Sequence, residues 1–521
     1  MAVMHYNKSL CSTYIRSSIA MYNNIFIKKS IIILVALLLC LSVIFVACDG
    51  SNAFKPLDNV TDPGGEAVGN GSAAVKYGDY LYYVNGSQSS VSANNEYTNE
   101  IRTGAIVRIK LSDIEGLIKI AEDNKDKDIT SANLKKEIAK ELRTKAQMVV
   151  PNFYYSANTT TTDINGIYIL GGRIYITTPN PELTAGGNSQ TSQLLVRSYK
   201  LDGSDMKTHF TFTSNSAQIL LSQSEGSVYA TAFVDNAIRS IKLGDTEKAA
   251  VDTEICKTAT SVNFEKSTSS VYYLDNKSNI CQFVAGSDKA TILQSNVQTE
   301  EGDEHKDHNH AQYTYTIKSV NNGEVFYTKA DSKDSAFDNK ILYKTSANGE
   351  VAVSDALPDS SYIGYGSGLL YVEKKTVAGV TLYGLTLTTD NKATASAEKV
   401  VLSAVQNDKS ITLDKIVGNT LYYTADSVYY SVDLSASTFT HTPLAYSLDS
   451  SSSVWYKPVI VDNYVITLSS GGITAVKFKP EEKTNSESVS LLLTVEETTE
   501  SKEFLATHSV PNQHGSGLFF A

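Results

Sequence analysis

The chain has 521 residues, 42% hydrophobic and 19% charged, with 45 Lys and Arg against 56 Asp and Glu, giving a net charge of −11. That is enough apolar material for a core, and the acidity argues against nucleic acid, which needs a basic surface to release counterions from phosphate, and against charge-driven docking on an anionic bilayer. With 31 tyrosines, one tryptophan and 10 prolines, the composition suits strands, because aromatic rings pack well on a half-buried pleated surface.

The N-terminus carries the first local signal. Lys28 and Lys29 precede an uncharged apolar run from Ile31 to Ala47, which ends on a small residue before Cys48. A basic flank, an apolar centre and a small residue at the cut are the layout of a secretory signal peptide, so residues 1–47 are read as one. Counted from Met1 it exceeds the usual length of about 15–30 residues. Counted from Met21, MYNNIFIKKSIII makes an ordinary basic start, and Met21 is the expected true start. Phe45-Val46-Ala47-Cys48 resembles the lipobox of bacterial lipoproteins, with Phe45 standing where that family prefers an aliphatic residue. The resemblance implies cleavage before Cys48, acylation of its sulfur, and an extracytoplasmic protein held to the membrane by that lipid. The competing reading is an uncleaved membrane helix, for which the span is near the lower length limit. The polar, Gly-rich residues 48–71 that follow at once read as a flexible tether and favour the lipoprotein. Cys11 and Cys40 precede the cut, which leaves Cys256 and Cys281. These are read as small buried apolar residues, with a disulfide open to them outside the cytoplasm.

From Gly78 onward one pattern returns: a turn residue, then apolar residues around an aromatic. Aligned on Tyr82, Tyr175, Tyr229, Tyr272, Phe326, Tyr371, Tyr422 and Ile466, the steps are 93, 54, 43, 54, 45, 51 and 44 residues. A second apolar run follows each copy, from AIVRIKL at Ala105 to GITAVKF at Gly472, often alternating with the period of two that marks half-buried strands. A repeat of roughly 40–50 residues with several strands per unit is the signature of a β-propeller. The expected fold is therefore all-β: a propeller over residues 72–497 with eight blades, or seven if one pair of anchors belongs to a single irregular blade. SVSLLLTVEE, Ser488–Glu497, is expected as an outer strand closing the ring with a strand near Ala73–Lys76. Residues 498–521 are expected to form a disordered tail.

The long first step is explained by an insertion over 112–147. Ser112 and Glu115 look like a capping box, and Leu134, Ile138 and Leu142 fall on one helical face at i, i+4 and i+8. Two helices are expected, at about 113–123 and 131–146, whose apolar stripe covers either the propeller's side or a partner, with the propeller's side the preferred reading.

SYKLDGSDMK, Ser198–Lys207, and LYYTADSVYYSVDLSAS, Leu421–Ser437, resemble the strand-turn-strand units of bacterial domain-of-unknown-function propellers, related to the YWTD and TolB-like propellers. The likeness covers most of 72–480 as a degenerate pattern, and only Asp202–Gly203 keeps the full Leu-Asp-Gly ending. It implies a surface-exposed lipoprotein whose propeller binds something, and it carries over no substrate.

Catalytic motifs are absent: no Gly-x-Ser-x-Gly, no phosphate loop, no His-Glu-x-x-His, and Trp455 stands outside any sialidase box. Scattered His209, His441, His508 and His514 read as ordinary surface or core histidines. The one polar cluster is EEGDEHKDHNHAQY, Glu300–Tyr313, with His305, His308 and His310 among five carboxylates. His308 and His310 could share one ion in an extended loop, with His305 or a carboxylate completing a divalent-metal set. A charged, unanchored loop resists ordering, at roughly 1–2 kcal/mol per residue, so a solvated hairpin tip is the plainer expectation. If this connection shares a rim with the helical insertion, the two together form the expected partner surface.

The expected function is a lipid-anchored, non-catalytic binding or scaffold propeller presenting loops to an envelope protein or a glycan, without a cofactor. The rival is a glycan hydrolase or lyase with carboxylates gathered at the central channel and Tyr83, Tyr273 and Tyr423 lining sugar subsites. A deep axial cavity holding several Asp, Glu or His side chains would discriminate between them.

Overall fold

The computed structural model describes residues 54–493, interrupted by a few single or paired positions and by 87–103, 125–130, 152–163, 181–192, 300–309, 332–340, 354–359, 388–392, 403–410, 447–456 and 479–486. Cys48, the signal segment, Trp455 and the tail 498–521 lie outside these residues. Every described strand and helix belongs to one compact unit, Pro56–Glu96 with Ile101–Ala521.

Among the described residues, eight four-stranded antiparallel sheets follow one another in sequence, each a simple meander. The first runs Ala74–Tyr77, Tyr80–Val84, Ile106–Lys110, Gln147–Val150. The eighth runs Val459–Val461, Tyr464–Ser469, Gly472–Lys477, Ser488–Ser490. All eight aligned anchors, Tyr82 through Ile466, sit on the second strand of a sheet, and the apolar runs behind them supply the third strands. The architecture is a β-propeller.

The reason for the paired aromatics is period two. Successive side chains point to opposite faces of a strand, and here both faces are buried. Tyr273 packs with Ile238, Val271 and Phe283 toward the third sheet. Its neighbour Tyr272 packs with Tyr315, Val325 and Tyr327 toward the fifth. The same logic joins the second and third sheets through Tyr168, Val196, Leu220 and Ala232, the sixth and seventh through Tyr371 and Leu421, and the seventh and eighth through Tyr429 and Val465.

The eighth sheet returns to the first, but not by sharing strands. Ala74–Tyr77 is the first strand of its own sheet, and Ser488–Ser490 is the last of another. The junction instead uses Asn85, which is fully buried. Its amide donates to the Leu493 carbonyl at 2.9 Å and accepts from the Leu493 N–H at 2.8 Å. The Tyr83 hydroxyl donates to the Leu491 carbonyl at 2.9 Å, and Lys76 pairs with Asp462 at 2.7 Å on the surface.

The two expected helices are α1, Leu111–Asp123, and α2, Ser131–Lys145. In α1 Ile114, Leu117 and Ile118 are buried, at i, i+3 and i+4 on one face, and α1 packs on α2 and on the last strand of the eighth sheet. The expected capping box is absent. Lys110 holds the N-cap position without a side-chain cap bond, and Ser112 lies inside the helix. Glu115 turns away from the helix start: it accepts from the Tyr464 hydroxyl at 2.6 Å and from Lys477 at 2.5 Å. Those bonds, led by the one from Lys477, hold its carboxyl below the ordinary range.

Meander topology sorts the connections. In every sheet the first-to-second and third-to-fourth turns fall at one end, and the second-to-third turns and sheet-to-sheet connections at the other. The helices occupy a third-to-fourth connection and the His-bearing segment a sheet-to-sheet connection, so they emerge on opposite faces. The shared partner rim does not form.

The junction makes a prediction. Replacing Asn85 by Leu removes both halves of a buried amide pair and strands the Leu493 peptide groups, at about 2–4 kcal/mol of stability. Lys76→Ala, which breaks an exposed ion pair, costs at most about 1 kcal/mol. Urea unfolding of the two variants measures the difference, and equal losses would refute the ranking.

Candidate functional site

The residues expected to form a flexible tether are, from Leu57 on, part of the fold. The Leu57 N–H donates to the Asp202 carbonyl at 2.9 Å, at the third-to-fourth turn of the second sheet. The chain then runs inward. Asp62 accepts from the Tyr77 hydroxyl at 2.5 Å and from the Gly64 N–H at 2.9 Å. Val68 bridges Lys76, and Ser72 bridges Ile167. Between them the Asn70 amide grips the Ile169 backbone, donating to its carbonyl at 3.3 Å and accepting from its N–H at 2.8 Å. Residues 57–72 are thus a strap laid against the first strands of the first and second sheets before the chain turns into Ala74–Tyr77.

Glycine is required where the strap passes closest. A Cβ on Gly69 would lie 2.8 Å from the Ala74 carbonyl oxygen, at φ +92°. One on Gly166 would lie 2.0 Å from the Ser72 carbonyl oxygen. At Gly69, composition that reads as a flexible linker serves close backbone approach instead.

Strap and sheets line an open cavity of about 730 Å³. The strap contributes Asp62, Glu66 and Asn70; the second and third sheets contribute Tyr168, Ser222 and Gln223; Lys266 reaches in from the fourth. Lys266 donates to the Asn70 carbonyl at 3.1 Å. Tyr77 is pushed up to about 12 by burial and by its bond to Asp62, so it stays a neutral donor. Ser222 is 5% exposed, and its hydroxyl has no hydrogen-bond partner among the described residues. No histidine or cysteine lines the cavity. Its ingredients are one unsatisfied hydroxyl, side-chain amides, a cation and two carboxylates: an arrangement for holding a polar ligand. None of these residues had a sequence signal, since Ser222 and Gln223 sit in an ordinary strand end and the strap lies far away in sequence.

The residues singled out from sequence fall elsewhere. His305 and His308 lie outside the described residues. His310 belongs by its backbone to a two-residue ribbon, His310–Ala311 paired with Gln298–Thr299, so 300–309 connects the two strands of a hairpin. Among the described residues no group of three or more His, Cys, Asp or Glu is placed to hold a metal ion. Tyr83, Tyr273 and Tyr423 are buried and line no sugar subsite: Tyr83 is tied to Leu491, Tyr273 packs between the third and fourth sheets, and the Tyr423 hydroxyl meets His441 at 3.0 Å. Cys256 and Cys281 are free thiols, half-buried and buried. Among the described residues no helix is long and apolar enough to cross a membrane.

His209 is a core histidine. It stacks on Tyr175, and its Nδ1 donates to the Gly244 carbonyl at 2.6 Å while its Nε2 meets the Ser198 hydroxyl at 2.7 Å. Burial, the largest cause, lowers its pKa.

No family model matches the chain, and no curated protein matches it. Solved structures do. YCF48 from Cyanidioschyzon merolae is 10% identical, with 57% of this chain and 94% of that one covered at a TM-score of 0.32. Oligopeptidase B from Leishmania major is 10% identical, with 78% and 53% covered at 0.36. The uncharacterized protein lmo1340 from Listeria monocytogenes EGD-e is 8% identical, with 62% and 91% covered at 0.33. Likenesses at this level carry no functional argument, and the fold stands on its own sheet topology.

The His209 environment fixes a pH dependence. A histidine whose folded pKa lies below its free value of 6.5 binds fewer protons folded than unfolded, so its contribution is complete above that value and lost as pH falls from there through the lowered pKa. Thermal unfolding from pH 7.5 to 5 is expected to show this loss. His209→Gln, which keeps a neutral polar side chain, should be less stable at pH 7.5 and show a shallower decline; an unchanged slope would exclude His209 as the source.

Proposed function

We propose that this chain is a lipid-anchored, extracytoplasmic binding propeller, of the YWTD- and TolB-like kind, that holds a small polar ligand without catalysis. Each of the eight sheets is read as a blade of one ring. Cys48 is read as the lipidated residue, on the strength of Phe45–Cys48 and the apolar run before it. The observation that carries the binding reading is the Ser222 hydroxyl, buried at the cavity wall without a partner. An unsatisfied buried hydroxyl costs about 1–3 kcal/mol, and a ligand that bonds to it recovers that cost on binding. Amides, hydroxyls and tyrosine rings around it suit a neutral polyhydroxylated compound such as a glycan end, with an envelope glycan as the natural source. The rival hydrolase or lyase reading would need carboxylates poised for acid-base work. Both cavity carboxylates come from the strap, and Asp62 is committed to Tyr77 and Gly64.

Two measurements test this. Saturation-transfer NMR with N-acetylglucosamine and glucose disaccharides is expected to show binding that falls about tenfold in Ser222→Val, the loss of one hydrogen bond to a buried group; no transfer to either sugar in the wild type refutes the ligand class. In the producing cell, Cys48→Ala should move the protein from the detergent-rich to the aqueous phase. Unchanged partitioning would refute the anchor.

A further inference from the structure

We propose that the face carrying α1 and α2 is turned toward an anionic lipid surface at the distance the anchor allows, with the basic side of α2 nearest the headgroups. The proposal rests on the lipid-anchor reading of Cys48. Two observations support it independently.

The first is charge. The sequence of α2, SANLKKEIAKELRTK, carries Lys135, Lys136, Lys140, Arg143 and Lys145 against Glu137 and Glu141, in a chain whose net charge is −11. Lys136, Lys140 and Arg143 stand at i, i+4 and i+7 on one side of the helix. Leu134, Ile138 and Leu142 lie on the other side, with Leu142 buried. Lys135, Lys136 and Lys140 are exposed. The acidity of the whole chain does not cancel this patch, because beyond about 8 Å at physiological ionic strength exposed charges are largely screened.

The second is where the strap begins. Leu57 is bonded at the third-to-fourth turn of the second sheet, and Pro63 sits against Gly78 at the first-to-second turn of the first. Both turns belong to the helix-bearing face. Cys48 precedes Pro56 by eight residues, which span at most about 28 Å fully extended. A tether running free to residue 71 would leave orientation open; this leash does not. Turning the propeller over would use up most of it on the depth of a sheet, about 23 Å for a seven-residue strand such as Arg173–Pro179.

The test uses the full lipidated chain in vesicles of phosphatidylglycerol and phosphatidylcholine. A fluorophore is placed on a single added cysteine in a Cys256→Ser/Cys281→Ala background. In one variant, Asp288→Cys, it sits in the third-to-fourth turn of the fourth sheet on the helix-bearing face. In the other, Asn276→Cys, it sits at the opposite end of the same strand. Both positions are exposed. Headgroup nitroxide lipids are expected to quench the Asp288→Cys label several-fold more than the Asn276→Cys label. Lys136→Glu/Lys140→Glu, or a long Gly/Ser insert before Phe54, should shrink that difference. Equal quenching at both positions in vesicle-bound protein overturns the orientation and leaves the anchor intact. A peptide containing residue 48 without lipid mass overturns the anchor. The unlipidated chain then goes to the same vesicles: salt-sensitive binding lost in Lys136→Glu/Lys140→Glu upholds the basic face, and no binding overturns it as well.

Discussion

A sheet buried on both faces cannot stand alone, and the junctions between sheets decide whether this chain folds. Apolar packing is the rule at the junctions, and among the described residues three carry in addition an asparagine that both donates to and accepts from one backbone residue across them. Asn85 grips Leu493, Asn70 grips Ile169, and Asn296 grips Tyr313, donating to its carbonyl at 2.7 Å and accepting from its N–H at 3.2 Å. A primary amide presents a donor and an acceptor side by side, so it can stand in for a peptide group where no neighbouring strand is available. Each clamp satisfies a backbone pair that a break between sheets would otherwise leave open. Two of them hold the beginning and end of the described chain, so the closure of the circle depends more on buried amides than on the surface pair Lys76–Asp462, whose side chains are 29% and 49% exposed.

The strap follows from the same constraint. Its Gly and Asn residues look like linker composition, and in isolation they would be. Gly69 in the strap, and Gly166 where the strap's Ser72 crosses it, are small because another backbone passes within contact distance, and Asn70 is polar because the Ile169 peptide needs a partner. Composition alone cannot separate a chain with nothing to bury from a chain pressed against a backbone, since both select the same residues.

Legibility in the sequence tracked burial. Second and third strands such as Ser270–Leu274 and Leu194–Lys200 are buried on both faces, and their aromatics repeat visibly. Outer strands such as Val251–Cys256 are mostly exposed, so polar residues serve there and no pattern marks them. The helices were legible from spacing, yet the role of Glu115 was not, because Tyr464 and Lys477 compete for it from the far end of the chain. The cavity was invisible for the same reason: Asp62, Ser222 and Lys266 come together only through the ring, and none sits in a motif.

Topology also divides the two faces. First-to-second turns are short where described, two residues at Gly78–Asp79 and Asn322–Gly323 and four at Lys266–Ser269, and among the described residues the helices are the main addition on that side. The sheet-to-sheet connections leave and rejoin the described strands at the opposite end. A propeller can lengthen such connections freely, because they leave the ring outside its packed sheets. The cavity, by contrast, is walled by the strap and by first strands in fixed register, so its shape depends on the junctions. Ligand recognition placed there is tied to ring closure, whereas anything recognised by the long connections can change while the fold stays the same.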